Sequence, residues 1–367
     1  MPMQAVVVDD AVIFRRVVAE ALELCGLRVV ATAANGRQGV QRILELKPEV
    51  VTLDVEMPEM DGLQVLEALR EARSDASVLV LSGLTSRASQ LTLRALERGA
   101  FDFICKPATQ SVTQSRAELL QALRPRLSAL ARRREIQSLL RPSGPEAAKA
   151  PPVPPPPAKL PAEPAIRAAA PGGQKPALVL VGVSTGGPNA LGRLLPGLPG
   201  DIGVPILVVQ HMPALFTASL AESLAGKCAI RVREAKDQEP LEPNTAYIAP
   251  GGRHMRIAPG ASGRTIQITD DPPEHNCRPA VDYLFRSAAN HFPGPCLAVI
   301  LTGMGNDGTL GLRLLKRRGC PVIAQDEATC VVYGMPRAAV EAGVVDVSLP
   351  IEHIAARICA CVRGGAL

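Results

Sequence analysis

The chain has 367 residues, 47% hydrophobic and 20% charged, proportions that exclude wholesale disorder and collagen-like repetition and leave room for two or three domains. No apolar stretch approaches the roughly 18 to 20 residues that span a bilayer, and Met1-Pro2-Met3-Gln4 carries no basic region ahead of an apolar one, so a cytoplasmic protein that is not membrane-inserted is expected. The net charge of +5 resides in residues 116 to 141, with seven Arg and two Glu, while nine aromatics and no Trp give base-stacking platforms little to be built from. That stretch reads as a solvated basic helix, and no nucleic-acid partner is expected.

In chain order, short apolar runs at Ala5 to Val8, Val29 to Ala33, Val50 to Leu53, Val78 to Leu81 and Phe101 to Ile104 alternate with helical stretches. Continuous apolar strands separated by helices predict a five-stranded parallel sheet covered on both faces in an α/β unit. A further helix is expected from about Thr113, interrupted or kinked at Pro125 and continuing to about Leu140.

Asp9 and Asp10 follow the first strand and Asp54 the third, so their carboxylates converge at the carboxyl ends of parallel strands, where such sheets bind ligands. Three neighbouring anions repel one another unless a cation joins them, and hard oxygen donors suit Mg²⁺. Ser82 ends the fourth strand and Lys106 follows the fifth, adding a hydroxyl and an ammonium. Any one of these acids could simply end a strand or cap a helix. Together, Asp9-Asp10, Leu53-Asp54-Val55-Glu56-Met57-Pro58, Asp61-Gly62, Ser82 and Lys106-Pro107 resemble a response-regulator receiver domain, which implies a flavodoxin-like fold over residues 1–125. The resemblance implies that Asp54 accepts a phosphoryl group from a histidine kinase, and that Asp10, Asp54 and the Glu56 backbone carbonyl hold Mg²⁺, with Asp9 acting through water. It also implies that Ser82 and Lys106 contact the phosphoryl oxygens and that Phe103 occupies a rotameric switch position.

Residues 126–176 read as the basic helix extension and a linker, since residues 142 to 177 hold twelve prolines and three large aliphatics and favour extended polyproline II. An SH3-type ligand is the alternative for that segment. Over residues 177–367 the alternation resumes at Leu178 to Val183, Ile206 to Gln210, Ala246 to Ala249, Thr265 to Thr269, Cys296 to Thr302, Pro321 to Ala324 and Val344 to Leu349. This predicts a second doubly wound, mostly parallel α/β domain, with a β-excursion where Pro250-Gly251-Gly252 and Pro259-Gly260 signal turns. The nine cysteines are scattered without a CxxC pair and are expected to be reduced; Cys359 and Cys361 near His353 lack zinc-site spacing, so no structural metal is expected there.

Gly182-Val183-Ser184-Thr185-Gly186-Gly187 lies between an apolar strand and a helical segment, which fits a nucleophile elbow, although a serine there would also serve as a helix cap. His211 directly follows the next strand and supplies a base on the same sheet edge, whereas His254, His275, His291 and His353 sit in or beside turns or at a helix start and read as surface residues. Asp307, in Thr302-Gly303-Met304-Gly305-Asn306-Asp307-Gly308, is the orienting carboxylate, with Asp282 in reserve and Asp270 and Asp271 more distant candidates.

The order Ser, His, Asp differs from that of α/β-hydrolases. With Gln210-His211-Met212-Pro213 and the preceding receiver, these motifs resemble the chemotaxis receptor protein-glutamate methylesterases over nearly the whole chain, sparing the linker. The resemblance implies Ser184 as nucleophile, His211 as general base and then acid, Asp307 as orienter and the Met304 backbone N–H as oxyanion donor. It implies glutamate γ-methyl esters and glutamines of methyl-accepting chemoreceptors as substrates, phosphorylation as activator and no cofactor for the hydrolase. Two other readings stand beside it. A regulator whose output domain only binds a partner would show a broken triad, and a DNA-binding output would need a recognition helix.

Overall fold

The computed structural model describes residues 2–108, 111–140, 175–260 and 263–365. The Pro-rich linker expectation therefore lies outside the described residues, apart from the last few before 177.

The first unit is β1 (Gln4–Val8), α1 (Val12–Leu24), β2 (Arg28–Ala33), α2 (Gly36–Leu46), β3 (Val50–Asp54), α3 (Gly62–Glu71), β4 (Ser77–Ser82), α4 (Ser86–Glu97), β5 (Asp102–Cys105) and α5 (Val112–Leu140). The strands pair in parallel in the order β2-β1-β3-β4-β5. β3 is buried along its whole length, as a strand covered on both faces must be. Helix starts follow the side chains that can satisfy their free N–H groups. Asn35 caps α2, Thr85 caps α4, and Asp61 forms a reciprocal capping box with Gln64 at α3.

α5 runs to Leu140 as expected, but as one helix of 29 residues without interruption at Pro125. A proline costs the helix a hydrogen bond, but packing compensates: Leu119, Leu123, Leu127 and Leu130 share one buried cluster with Val7, Val17 and Leu79. Its arginines are also less free than a solvated face implies. Arg116 pairs with Glu20, Arg126 with Asp102, and Arg134 donates to the carbonyls of Glu49 and Asp75.

The second unit is β6 (Leu178–Val183), α6 (Gly187–Leu194), β7 (Ile206–Gln210), α7 (Ala214–Ala225), β8 (Arg231–Glu234), β9 (Thr245–Ile248), β10 (His254–Gly260), β11 (Gly263–Thr269), α8 (Val281–His291), β12 (Cys296–Ile300), α9 (Thr309–Arg317), β13 (Val322–Gln325), α10 (Met335–Glu341), β14 (Val347–Leu349) and α11 (Ile351–Val362). Seven strands form a wholly parallel sheet in the order β14-β13-β12-β6-β7-β9-β8. The β-excursion is the separate antiparallel hairpin β10–β11. β8 escaped the sequence reading because Arg231, Arg233 and Glu234 interrupt its apolar pattern at the sheet edge. The chain passes from β6 to β7, on to β8 at the sheet edge and back to β9 between them, then crosses to place β12 on the other side of β6. That reversal is a topological switch point, and a crevice opens there at the carboxyl ends of the strands.

The two units touch through α4 and β5 of the first and α6 and α7 of the second. Phe103 stacks on Phe216 with ring centroids 4.6 Å apart. Ser89 Oγ and Ser219 Oγ are buried 2.7 Å apart, and Lys227 reaches Glu97 at 2.6 Å. Val331 and Val332, from the segment after β13, pack against the apolar cluster that contains Leu127 and Leu130.

Candidate active site

β12, β6 and β7 are adjacent, so the segments leaving their carboxyl ends meet over the switch point. Ser184 follows β6 at a tight turn in which Gly186 adopts φ +78°, and a β-carbon on Gly186 would overlap Val331. His211 follows β7, its N–H donating to the Val183 carbonyl at 3.2 Å. The Thr302–Gly308 segment follows β12, and Ser184 N–H donates to Thr302 O at 3.0 Å.

The side chains join in one line. His211 Nδ1 is 3.2 Å from Ser184 Oγ, and His211 Nε2 is 2.8 Å from Asp307 Oδ2. A carboxylate only accepts, so Nε2 carries a proton, and in the neutral imidazole Nδ1 presents its lone pair to the serine hydroxyl, a tautomer assigned from the hydrogen-bond pattern. Asp307 is 3% exposed and also accepts the N–H groups of Val281 (2.7 Å) and Asp282 (2.8 Å). Burial works against its charge, but the His211 bond and the two backbone donors hold its carboxyl below the ordinary range. Burial likewise opposes a charge on His211, yet the bonds to Asp307 and Cys277 prevail and raise the imidazole to about 9.

Gly303 lies against Ser184, where a β-carbon would come within 2.8 Å of Ser184 Cβ, and this brings the next residue, Met304, beside the nucleophile. The Met304 N–H makes no hydrogen bond among the described residues. Its loop is held from behind: Gly303 N–H donates to Val332 O, and the N–H groups of Gly334 and Met335 donate to Gly303 O. A cleft of about 540 Å³ holds Ser184, His211 and Met304 on one wall and Asp102, Phe103 and Arg126 of the first unit on the other. Thr185, beside the serine, donates to Asp102 at 3.3 Å.

The reserve carboxylates fall elsewhere. Asp282 is buried behind Asp307, accepting the Gly311 N–H and meeting His275 at 2.9 Å. Asp270 pairs with Arg253, and Asp271 accepts from Thr269 and Tyr283. His254, read as a surface residue, is instead fully buried and stacked on Tyr283, because the β10–β11 hairpin folds over α8. His291 and His353 are exposed. All nine cysteines are free thiols.

In the first unit Asp9, Asp10 and Asp54 offer oxygens within 4.8 Å of one another. Lys106 Nζ lies 2.5 Å from Asp54 Oδ2 and 2.8 Å from Asp9 Oδ2. That second contact is an ion pair outside hydrogen-bond geometry, so Asp9 Oδ2 has no hydrogen-bond partner among the described residues. Burial pushes the Asp9 carboxyl up against the pull of Lys106. Clustered hard oxygens, one of them unsatisfied, fit Mg²⁺. Ser82 is buried and accepts from Thr92 at 2.7 Å.

The family model described as CheB methylesterase matches residues 179–358, and that described as response regulator receiver domain matches residues 5–118. A protein-glutamate methylesterase/protein-glutamine glutaminase of Desulfotalea psychrophila is 44% identical over 98% of this chain and 99% of its own. This chain belongs to the protein-glutamate methylesterase/protein-glutamine glutaminase family. A relative of the same description in a Nocardioides species is 42% identical over 97% of this chain and 94% of its own. The solved methylesterase catalytic domain of Thermotoga maritima CheB is 41% identical, covering 51% of this chain and 98% of that one, with a TM-score of 0.49. The family is one of hydrolases, and its receiver domain fits Mg²⁺ use in phosphorylation. No helix among the described residues is long and apolar enough to cross a membrane.

Three residues beside these side chains escaped sequence reasoning. Cys277 Sγ stands 3.5 Å from His211 Nδ1, on the side facing Ser184. His275 sits 4.0 Å from Asp307 Oδ1. Gln210 donates to the carbonyls of both Ser184 and His211. Position beside His211 in the quoted motif was the signal for Gln210. Nothing in the sequence marked the other two, which arrive on the turn before α8.

Proposed function

We propose that this chain hydrolyses glutamate γ-methyl esters on methyl-accepting chemoreceptors, releasing methanol, and deamidates receptor glutamines to glutamate, through Ser184, His211 and Asp307. The observation that carries the reading is the unbroken hydrogen-bonded line from Ser184 Oγ through His211 to Asp307. Ser184 Oγ attacks the ester carbonyl as His211 Nδ1 takes its proton, and Asp307 stabilises the imidazolium. The Met304 N–H stabilises the oxyanion. The C–O bond then breaks, methanol leaves with the proton from His211, and water, deprotonated by His211, releases glutamate from the acyl-enzyme. With glutamine the leaving group is ammonia.

In this reading residues 1–125 form the receiver, 126–176 the connection and 177–367 the catalytic domain. A histidine kinase phosphorylates Asp54, and Asp10, Asp54 and the Glu56 carbonyl, with Asp9 through water, would hold Mg²⁺, which neutralises charge developing in phosphoryl transfer. Lys106 and Ser82 contact the phosphoryl group. Phe103 then leaves its stack on Phe216, and the receiver withdraws from the cleft. The protein would work in the cytoplasm.

Methanol release from methylated receptor membranes by wild type and Ser184→Ala tests the reading. A loss on the order of 10³-fold or more is expected, with circular dichroism unchanged. Retained activity removes Ser184 from the chemistry.

A further inference from the structure

Gln210 ends β7 immediately before His211 and is 1% exposed. Past the last ladder bond, from His211 N–H to Val183 O, the chains leaving β6 and β7 part. The Gln210 carboxamide bridges them: Nε2 donates to the Ser184 carbonyl at 2.9 Å and to the His211 carbonyl at 3.2 Å. Both acceptors are carbonyl oxygens, so the amide orientation is determined, since turning it over would set oxygen against oxygen.

The arrangement leaves Oε1 buried with no hydrogen-bond partner among the described residues. It faces Gly187, where a β-carbon would overlap it. A methionine or leucine would avoid burying that unsatisfied acceptor. Nor does the Ser184 carbonyl depend on the amide, because Gly187 N–H also donates to it at 2.8 Å. The amide therefore contributes something other than satisfaction of the backbone.

We infer that Gln210 is a positioning residue of the hydrolase, its carboxamide a two-point tether that sets the separation of the turn bearing Ser184 from the turn bearing His211. The inference rests on the Ser184–His211–Asp307 reading. The distance it governs, 3.2 Å between Oγ and Nδ1, stands at the long end of productive proton transfer, so a small slip of either turn breaks the contact.

The test uses full-length protein with Mg²⁺ and acetyl phosphate, following methanol release from methylated receptor membranes across the pH range in which His211 titrates, up to about 9. Gln210→Met should lower kcat about 10²-fold with KM changed less than about twofold. Gln210→Glu supplies the decisive readout. A protonated carboxyl can donate one hydrogen bond and a carboxylate none, and burial raises the pKa of such a group. Activity relative to wild type at the same pH should thus rise as pH falls.

A charge effect alone has the opposite sign: a carboxylate beside His211 would keep the imidazole protonated to higher pH, and relative activity would fall on acidification. The other titratable groups around the cleft, Cys277, His275, Asp307 and the Asp102–Arg126 pair, are common to every variant and cancel in the ratio. A flat or falling ratio, or Gln210→Met within about threefold of wild type, overturns the tether. The Gln210→Glu ratio decides even where Gln210→Met melts early, because one protein is compared with itself across pH. An active Ser184→Ala would sink the triad reading instead, whereas an inactive Ser184→Ala with a flat Gln210→Glu ratio sinks the tether alone.

Discussion

Replacing Ser219 with aspartate should open the cleft without phosphate. The Ser89–Ser219 hydroxyl pair contributes about 0.5–1.5 kcal/mol and the Phe103–Phe216 stack a similar amount beyond burial. The Lys227–Glu97 pair is about two-fifths exposed and contributes at most about 1 kcal/mol. Together they favour the covered arrangement by about 1 to 4 kcal/mol, or a covered-to-open ratio of roughly 5 to 10³. An aspartate at 219, trapped opposite Ser89, would be an unpaired buried carboxylate costing about several kcal/mol, which exceeds that preference. In the open arrangement it is solvated and costs little. Without phosphodonor, methanol release by full-length Ser219→Asp should rise about fivefold or more, and acetyl phosphate with Mg²⁺ should add less than about twofold. A fragment starting near Ala177 should likewise outpace unphosphorylated full-length wild type and be insensitive to the substitution. Were Ser219→Asp as slow as wild type without phosphodonor and still accelerated by it, the covering contacts would not be what restrains the enzyme.

Asp307→Asn should lower turnover severely while leaving KM nearly unchanged, since an amide cannot accept from His211, Val281 and Asp282 together nor stabilise imidazolium; Asp282→Asn, which does not touch His211, should be mild beside it, and the reverse ranking would reassign the orienter. Asp54→Asn should abolish labelling by radioactive acetyl phosphate, as should metal chelation in wild type; the chain has no Trp, so a radiolabel or gel shift must report it. Because His211 must be neutral to act as base, kcat/KM should rise with pH toward a plateau above about 9. Stability shows the opposite trend. The His211–Asp307 pair stabilises fully below the imidazole's ordinary value of 6.5, and this is lost as pH rises through about 9, so chemical denaturation midpoints should fall across that window.

The sequence by itself determined two parallel α/β units and the sites at their strand ends. An apolar run followed by an acid, a serine or a histidine locates that side chain at the carboxyl edge whatever the rest of the chain does, so Asp9, Asp54, Ser184, His211 and Asp307 were legible one strand at a time. Only the tertiary structure decided which strands are neighbours. β12 lies beside β6 although more than a hundred residues separate them, and this sets Asp307 against His211 while Asp282 lies buried behind it. The same holds for His254, buried as its own hairpin folds over α8, for the arginines of α5, which find partners on α1, β5 and distant loops, and for Cys277 and His275, which reach the site on a connecting turn. Periodicity reports which face of an element is buried, and it carries no record of what that face is buried against.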